Sequence, residues 1–171
     1  MIGIIDYGMG NLRSVQKALQ RLGAQAEIVT KPEDAVAADK LVLPGVGAFA
    51  DGMQQLRERG FVTPVRDFIA TGRPFLGICL GMQLIFTSSQ EDAPSADEPI
   101  PGLNVLPGRV VRFTVDQPPL RLKVPHMGWN TLSWDRDDPL LAGLEQQSQV
   151  YFVHSYHALP EESAEPPLTS A

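Results

Sequence analysis

Phe75-Leu76-Gly77-Ile78-Cys79-Leu80-Gly81-Met82-Gln83 is an apolar strand pattern that meets a helix pattern at a cysteine, with a glycine two positions to either side. A backbone can turn from strand to helix within one residue only if nothing bulky flanks the turn, and Gly77 and Gly81 leave that room. The single cysteine of the chain then stands at the carboxyl end of a strand and the start of a helix. There the helix N-terminus favours a thiolate, and the N–H of Leu80 points where a tetrahedral oxyanion would form. Serine in the same kind of turn is the nucleophile of α/β hydrolases. The competing reading is a buried structural cysteine, and flanking glycines at a strand end favour the nucleophile. One cysteine allows no internal disulfide, which suits a reducing cytosol.

Upstream of this turn, strand and helix patterns alternate. Residues 1–5 form an apolar run suited to a buried parallel strand, and Asp6-Tyr7-Gly8-Met9-Gly10 follows as a turn. A helix starting near Asn11 puts Leu12, Val15, Leu19 and Leu22 on one face, and Gly23 fits its C-terminal end. Strands are expected at 24–29 and at 40–43, the second stopping at Pro44, with a short helical turn at 32–37 between them. The loop Gly45-Val46-Gly47-Ala48-Phe49 leads to a helix carrying Met53 and Leu56. Thr63 as cap and Pro64 in the first position begin another helix, with Val65, Phe68 and Ile69 inward and Gly72 at its end. Residues 75–78 make the fourth strand. Such alternation predicts parallel strands joined by right-handed crossovers, a three-layer α/β sandwich with functional residues at the carboxyl ends of the strands.

Past the helix begun at Leu80 the texture changes. Residues 88–102, rich in Ser, Pro, Asp and Glu, read as an exposed loop. Short strands are expected at 103–106, 109–113, 120–124, 131–134 and 149–157, with a small helix at 139–144, adding antiparallel strands to the parallel sheet. Residues 1–159 are expected to form one domain, and 160–171, with three prolines and three glutamates, an exposed tail or a cut end. A net charge of −6 with no run of Lys or Arg argues against a nucleic-acid surface. The apolar stretch 75–86 is too short to span a bilayer, and the N-terminus lacks a basic leader, so a cytoplasmic protein without membrane contact is expected.

The segment Gly77-Ile78-Cys79-Leu80-Gly81-Met82-Gln83 closely resembles the nucleophile motif of class I, triad-type glutamine amidotransferases, whose core is flavodoxin-like. Asp6-Tyr7-Gly8-Met9-Gly10-Asn11, Pro44-Gly45-Val46-Gly47-Ala48-Phe49, Pro125-His126-Met127-Gly128-Trp129-Asn130 and Tyr151-Phe152-Val153-His154-Ser155-Tyr156 are similar to the glutaminase subunits of imidazole glycerol phosphate synthases, in the same order. The resemblance implies that the Cys79 thiolate attacks the side-chain amide of glutamine, releasing ammonia and leaving a glutamyl thioester for water, with no metal or other cofactor. It implies oxyanion donors in the backbone N–H groups of Leu80 and Val46, with Gly45 and Gly47 permitting a peptide flip that gates activity. An ordinary strand-end turn is the alternative for 44–47. Glutamine binding would fall to Gly47, Gln83, Glu91, Ser155 and Tyr156, although Glu91 lies in an acidic loop where a solvated carboxylate is the default. The implied partner is a (β/α)₈-barrel cyclase subunit, forming a heterodimer in histidine biosynthesis and docking at Asn11, Met127 and Trp129. Asn11 as a simple helix cap and Trp129 as a core residue remain open alternatives.

A cysteine nucleophile of this kind needs a histidine base oriented by a carboxylate, which the family supplies from a late His-x-Glu. His126, His154 and His157 are the only histidines, and none has an acidic residue two positions on. His126 and His154 fall in segments that do not carry the family's base, and His157 reads as a strand-edge histidine. The triad is therefore expected to be incomplete. Either the chain is a C-terminally truncated form of an active glutaminase, or it is a short variant that binds the synthase or glutamine without turnover. Retention of Cys79 and both oxyanion segments favours truncation. A different cysteine hydrolase of the same architecture is opposed by segment 125–130, which belongs to the docking side of one particular synthase.

Overall fold

The computed structural model describes residues 1–161. Strands β1 (Ile2–Ile5), β2 (Ala26–Val29), β3 (Lys40–Gly45) and β4 (Phe75–Cys79) form a parallel sheet in the order β2-β1-β3-β4. Helix α1 (Leu12–Arg21) connects β1 to β2, α2 (Pro32–Ala37) connects β2 to β3, and α3 (Phe49–Glu58) and α4 (Val62–Ala70) lie between β3 and β4. Because side chains alternate along each strand, the sheet supplies two cores. On one face Ile4, Ala26 and Val42 meet Leu12, Val15 and Leu19 of α1. On the other, Ile5, Val29, Leu41 and Leu43 meet Ala35, Phe49, Met53, Leu56, Val65 and Phe68 from α2, α3 and α4. Helices on both faces of a parallel sheet make the expected three layers. The chain winds one way from β1 to β2 and the other way from β2 through β3 to β4, which opens a crevice beyond the carboxyl ends of β1 and β3.

Several boundaries depart from the sequence expectation for local reasons. Leu22 is 83% exposed, because it closes α1 with an N–H bond to Leu19 and points away, while Gly23 takes φ +83° just after it. Strand β3 runs on through Pro44 to Gly45, opposite Ile78 and Cys79. Strand β1 pairs with β3 only as far as Val42, so Pro44 has one strand neighbour and its missing N–H is tolerated. Helix α4 begins at Val62 behind Phe61, whose carbonyl accepts from Val65 at 3.0 Å, so Thr63 lies inside the first turn and is no cap.

The second half builds separate sheets and does not extend the parallel one. Helix α5 (Leu80–Gln83) is one turn long, followed by β5 (Phe86–Ser89), β6 (Ile100–Pro101), β7 (Leu106–Arg112), β8 (His126–Thr131), β9 (Gln149–His154) and β10 (Tyr156–Pro160). Four of these strands form a mixed sheet, β10-β7-β5-β6, in which β5 and β7 are parallel, while β8 and β9 form a two-stranded antiparallel ribbon. The expected exposed loop at 88–102 therefore loses Ser88 and the fully buried Ser89 to β5, and Ile100–Pro101 to β6. No strand forms at 120–124, where Leu120 and Leu122 stay more than half exposed, and the strand expected at 131–134 lies earlier, at 126–131. The expected strand 149–157 breaks at Ser155, since β9 and β10 enter different sheets. Strand β10 also claims Pro160 from the expected tail, the rest of which, from residue 162, lies outside the described residues. The larger core reaches from Ile5 to Val110, with Tyr156 and Ala158 packed against it.

His154 and His157 both meet Phe113, and His126 joins the group through His154. His126 Nδ1 lies 3.3 Å from His154 Nε2, His154 Nδ1 lies 2.9 Å from the Tyr156 carbonyl oxygen, and His157 stacks on Phe113 at 4.5 Å. Burial, with a smaller contribution from neighbouring His154, pushes the His157 pKa down, and its Nδ1 is buried without a partner. A histidine kept neutral in the fold supports stability above its unfolded pKa of about 6.5, and that support is lost as pH falls through the lower folded value. Urea unfolding between pH 7.5 and 5 should therefore show a steeper loss of stability for wild type than for His157→Phe, which keeps the stack. Identical slopes for the two proteins would refute the buried-neutral assignment.

Candidate active site

Cys79 ends β4 opposite Gly45 and serves as the N-cap of α5 with φ +53° and ψ −117°. That backbone conformation costs a non-glycine residue about 1–3 kcal/mol, and the surroundings impose it. A Cβ on Gly77 would stand 2.6 Å from Met82 Cα, and one on Gly81 would overlap the Leu43 carbonyl oxygen. The turn is thus pressed directly against the backbone of β3, and the thiol faces outward, exposed. Because α5 is a single turn, the local N–H groups of Leu80 and Gly81, more than a long aligned dipole, are what it offers an anion.

Beyond Gly45, Val46 is 53% exposed and Gly47 takes φ +96°, so the strand-end segment stands open beside the cysteine turn. It leads at once into α3, whose first N–H, from Phe49, donates to Glu91 Oε2 at 2.9 Å. A carboxylate at a helix N-terminus is favourable there, and the buried Ser89 hydroxyl accepts from the Glu91 N–H at 3.0 Å, fixing it from behind. Burial raises the Glu91 pKa, with Asp92 and Asp51 adding to the rise and the Phe49 bond opposing it. Glu91 is therefore a half-buried, tethered carboxylate and not a solvated loop charge.

Gln83, at the end of α5, donates from Nε2 to the Tyr156 carbonyl oxygen at 3.3 Å. Ser155 lies between β9 and β10, and its carbonyl accepts from the Phe113 N–H at 3.0 Å. Burial and then the Glu91 carboxylate raise the Tyr156 pKa, which places that phenol within electrostatic reach of Glu91. Gln83, Glu91 and Tyr156 are thus linked to one another, by one hydrogen bond and one electrostatic contact. Sequence reasoning did not single out Tyr7. Its side chain is fully buried after β1, and its Oη lies 2.6 Å from where a Gly45 Cβ would be. A tyrosine in a glycine-rich turn carries no local signal that it will reach beneath another strand.

The three expected docking residues fall on two elements, the start of α1 and the β8–β9 ribbon. Asn11 caps α1, its side-chain oxygen accepting from the Ser14 N–H at 3.4 Å, which leaves its amide NH₂ available to a partner. Met127 and Trp129 share one face of the β8–β9 ribbon with their cross-strand neighbours Val153 and Tyr151, all four more than half exposed. Trp129 meets Tyr151 edge-on at 5.6 Å and is no core residue. His126, Phe152 and His154 occupy the opposite face and contact one another. Sequence reasoning missed Tyr151 and Val153 because 150–153 is apolar at every position and shows no alternation.

The profile of the glutamine amidotransferase class-I family matches residues 3–169, and the chain belongs to that family. A solved structure described as a glutamine amidotransferase superposes with a TM-score of 0.66 at 22% identity, covering 91% of this chain and 71% of that one. The chain is 53% identical over 166 residues to the imidazole glycerol phosphate synthase subunit HisH of Syntrophotalea carbinolica, covering 96% of this chain and 78% of that protein. Its identity to the HisH subunit of Geobacter sulfurreducens is 50%, over 95% of this chain and 77% of that protein. Within class I it is accordingly a member of the HisH subunit family.

If the Gly81 contact with β3 creates the turn, Gly81→Ala should lose about 3 kcal/mol or more in urea unfolding. Gly72→Ala serves as the control, with φ +73° but open space around it, and should lose only about 1–2 kcal/mol. Equal losses at the two positions would contradict the close-contact account.

Proposed function

We propose that this chain is the glutaminase subunit of an imidazole glycerol phosphate synthase, acting through a Cys79 thioester. The thiolate sulfur attacks the side-chain amide carbon of glutamine, and the negative charge moves to the amide oxygen. On collapse the C–N bond breaks, ammonia departs with the added proton, and a γ-glutamyl thioester remains for water to hydrolyse to glutamate. The observation that carries this reading is Cys79 itself, strained at the tip of β4 with the N–H groups of α5 behind it and the open 45–47 segment beside it. Val46 and Leu80 then supply the two backbone donors to the oxyanion. Gly47, Gln83, Glu91, Ser155 and Tyr156 bind the amino-acid end of glutamine. Glu91, with one carboxylate oxygen held by Phe49, keeps the other for the substrate ammonium.

Ammonia is mostly protonated in neutral water and then not nucleophilic, so its value lies in direct transfer to a docked partner. We place that partner, a cyclase subunit with a (β/α)₈ barrel, against Asn11 and the Met127–Trp129 face of the ribbon, the pair working in the cytoplasm in histidine biosynthesis. The exposed apolar quartet Met127, Trp129, Tyr151 and Val153 supports that assignment, because aromatic and Met side chains concentrate at interface centres.

The chain carries no His-x-Glu sequence; among the described residues His126 and His154 bond each other, His154 also meets the Tyr156 carbonyl, and His157 stacks on Phe113. The 171-residue protein should therefore bind glutamine yet release glutamate slowly, even with a cyclase subunit present, at least 100-fold below a HisH protein that has the motif. Robust glutamate release, lost on Cys79→Ala, would overturn the missing-base reading. Calorimetry should show Gln83→Ala weakening glutamine binding about tenfold, the loss of about 1.4 kcal/mol. Unchanged affinity would remove Gln83 from the binding site.

A further inference from the structure

Among the described residues, two buried side-chain polar atoms lack a hydrogen-bond partner, and one of them is the Tyr7 hydroxyl. An orphaned buried hydroxyl is destabilising, a cost that phenylalanine in the same place would avoid. The hydroxyl is also where the site converges. Its oxygen lies 2.6 Å from the Cβ position of Gly45, and the Gly81 nitrogen and Leu80 Cβ lie 2.7 and 2.8 Å from that same point. Tyr7 follows β1, Gly45 ends β3 and Leu80 follows β4, so one phenol reaches beneath three strand ends at the crevice. It touches the first residue of the segment whose next N–H, from Val46, is the proposed oxyanion donor.

We propose that Tyr7 is a positioning residue for the oxyanion segment, donating its hydroxyl hydrogen to the Gly45 carbonyl oxygen when the peptide joining Gly45 to Val46 turns its N–H toward the reacting carbon at Cys79. The inference rests on the assignment of the Val46 N–H to the oxyanion hole. Rotation of that peptide about the Gly45 Cα–C bond sweeps the carbonyl oxygen past the Cβ side of Gly45, the side Tyr7 Oη occupies. Gly45 has no side chain to block the sweep. In the conformation observed the hydroxyl is without a partner, and in the turned conformation it gains an acceptor. The orphaned group therefore biases the segment toward the reactive arrangement. Burial, with a smaller contribution from Cys79, raises the Tyr7 pKa, which keeps the phenol protonated and able to donate.

The test compares two reagents on wild type and Tyr7→Phe. The chloroketone analogue of glutamine alkylates Cys79 by losing chloride, and its carbonyl oxygen occupies the oxyanion hole. Methyl methanethiosulfonate forms a disulfide with the same thiol, loses methanesulfinate, and has no carbonyl to be held. In Tyr7→Phe the chloroketone rate should fall about tenfold while the methanethiosulfonate rate stays within twofold of wild type. Unchanged chloroketone labelling would overturn the proposal, as would a parallel fall with both reagents, which would show a collapsed turn. If wild type itself shows no glutamine-competable chloroketone labelling at Cys79, the active-site reading fails first, and the role of Tyr7 fails with it.

Discussion

The approach of Gly81 to the Leu43 carbonyl is the contact on which the rest of the site depends. It brings the backbone of α5 against the backbone of β3 with no side chain between them, at a separation that any Cβ would forbid. Once that contact exists, the chain leaving β4 has no gentle route into α5, and Cys79 is held at φ +53°. The strain of about 1–3 kcal/mol is small beside the burial of Leu80, Leu84, Phe49 and Leu56 around it, each contributing about 1.5–3 kcal/mol. Packing therefore sustains a conformation that the cysteine alone would not adopt. The result is an exposed thiol at the N-terminus of a one-turn helix.

Topology places the other components around that turn. Since β1 and β3 are neighbours whose connections run in opposite directions, their ends leave a crevice, and β4 adds the cysteine beside it. The 45–47 segment is thereby tied on one side to the ladder with β4 and on the other to α3, whose first N–H is held by Glu91. Ser89 fixes Glu91 in turn, and Gln83 reaches Tyr156 across to the mixed sheet. A chain of single hydrogen bonds thus joins the parallel half to the strands that follow it. Tyr7 stands beneath this arrangement with a buried hydroxyl that has no hydrogen-bond partner.

The β8–β9 ribbon divides its labour by the two-residue period of a strand. One face sets Met127, Trp129, Tyr151 and Val153 outward, and the other turns His126, Phe152 and His154 toward one another and Phe113. A two-stranded ribbon is marginal alone, so the inner aromatic and histidine contacts anchor it while the outer face stays exposed.

The local sequence determined the alternating strands and helices, the end of α1 just before Gly23, the limits of α2 and the strand-to-helix turn at Cys79. Each of these depends on side-chain periodicity or on a residue's own backbone freedom, properties carried within a few positions. It did not determine that β3 would run through Pro44, that Leu120 and Leu122 would stay in a loop, or that 149–157 would split at Ser155. Those outcomes depend on which strand lies alongside, and a neighbour distant in sequence leaves no local mark. The same division holds within the site. The strand-to-helix turn at Cys79 between two glycines was legible before any fold was known. The burial of Glu91 at a helix start, the exposure of Trp129 and the reach of the Tyr7 hydroxyl to Gly45 were decided only by tertiary packing, because each is a relation between surfaces brought together from separate parts of the chain.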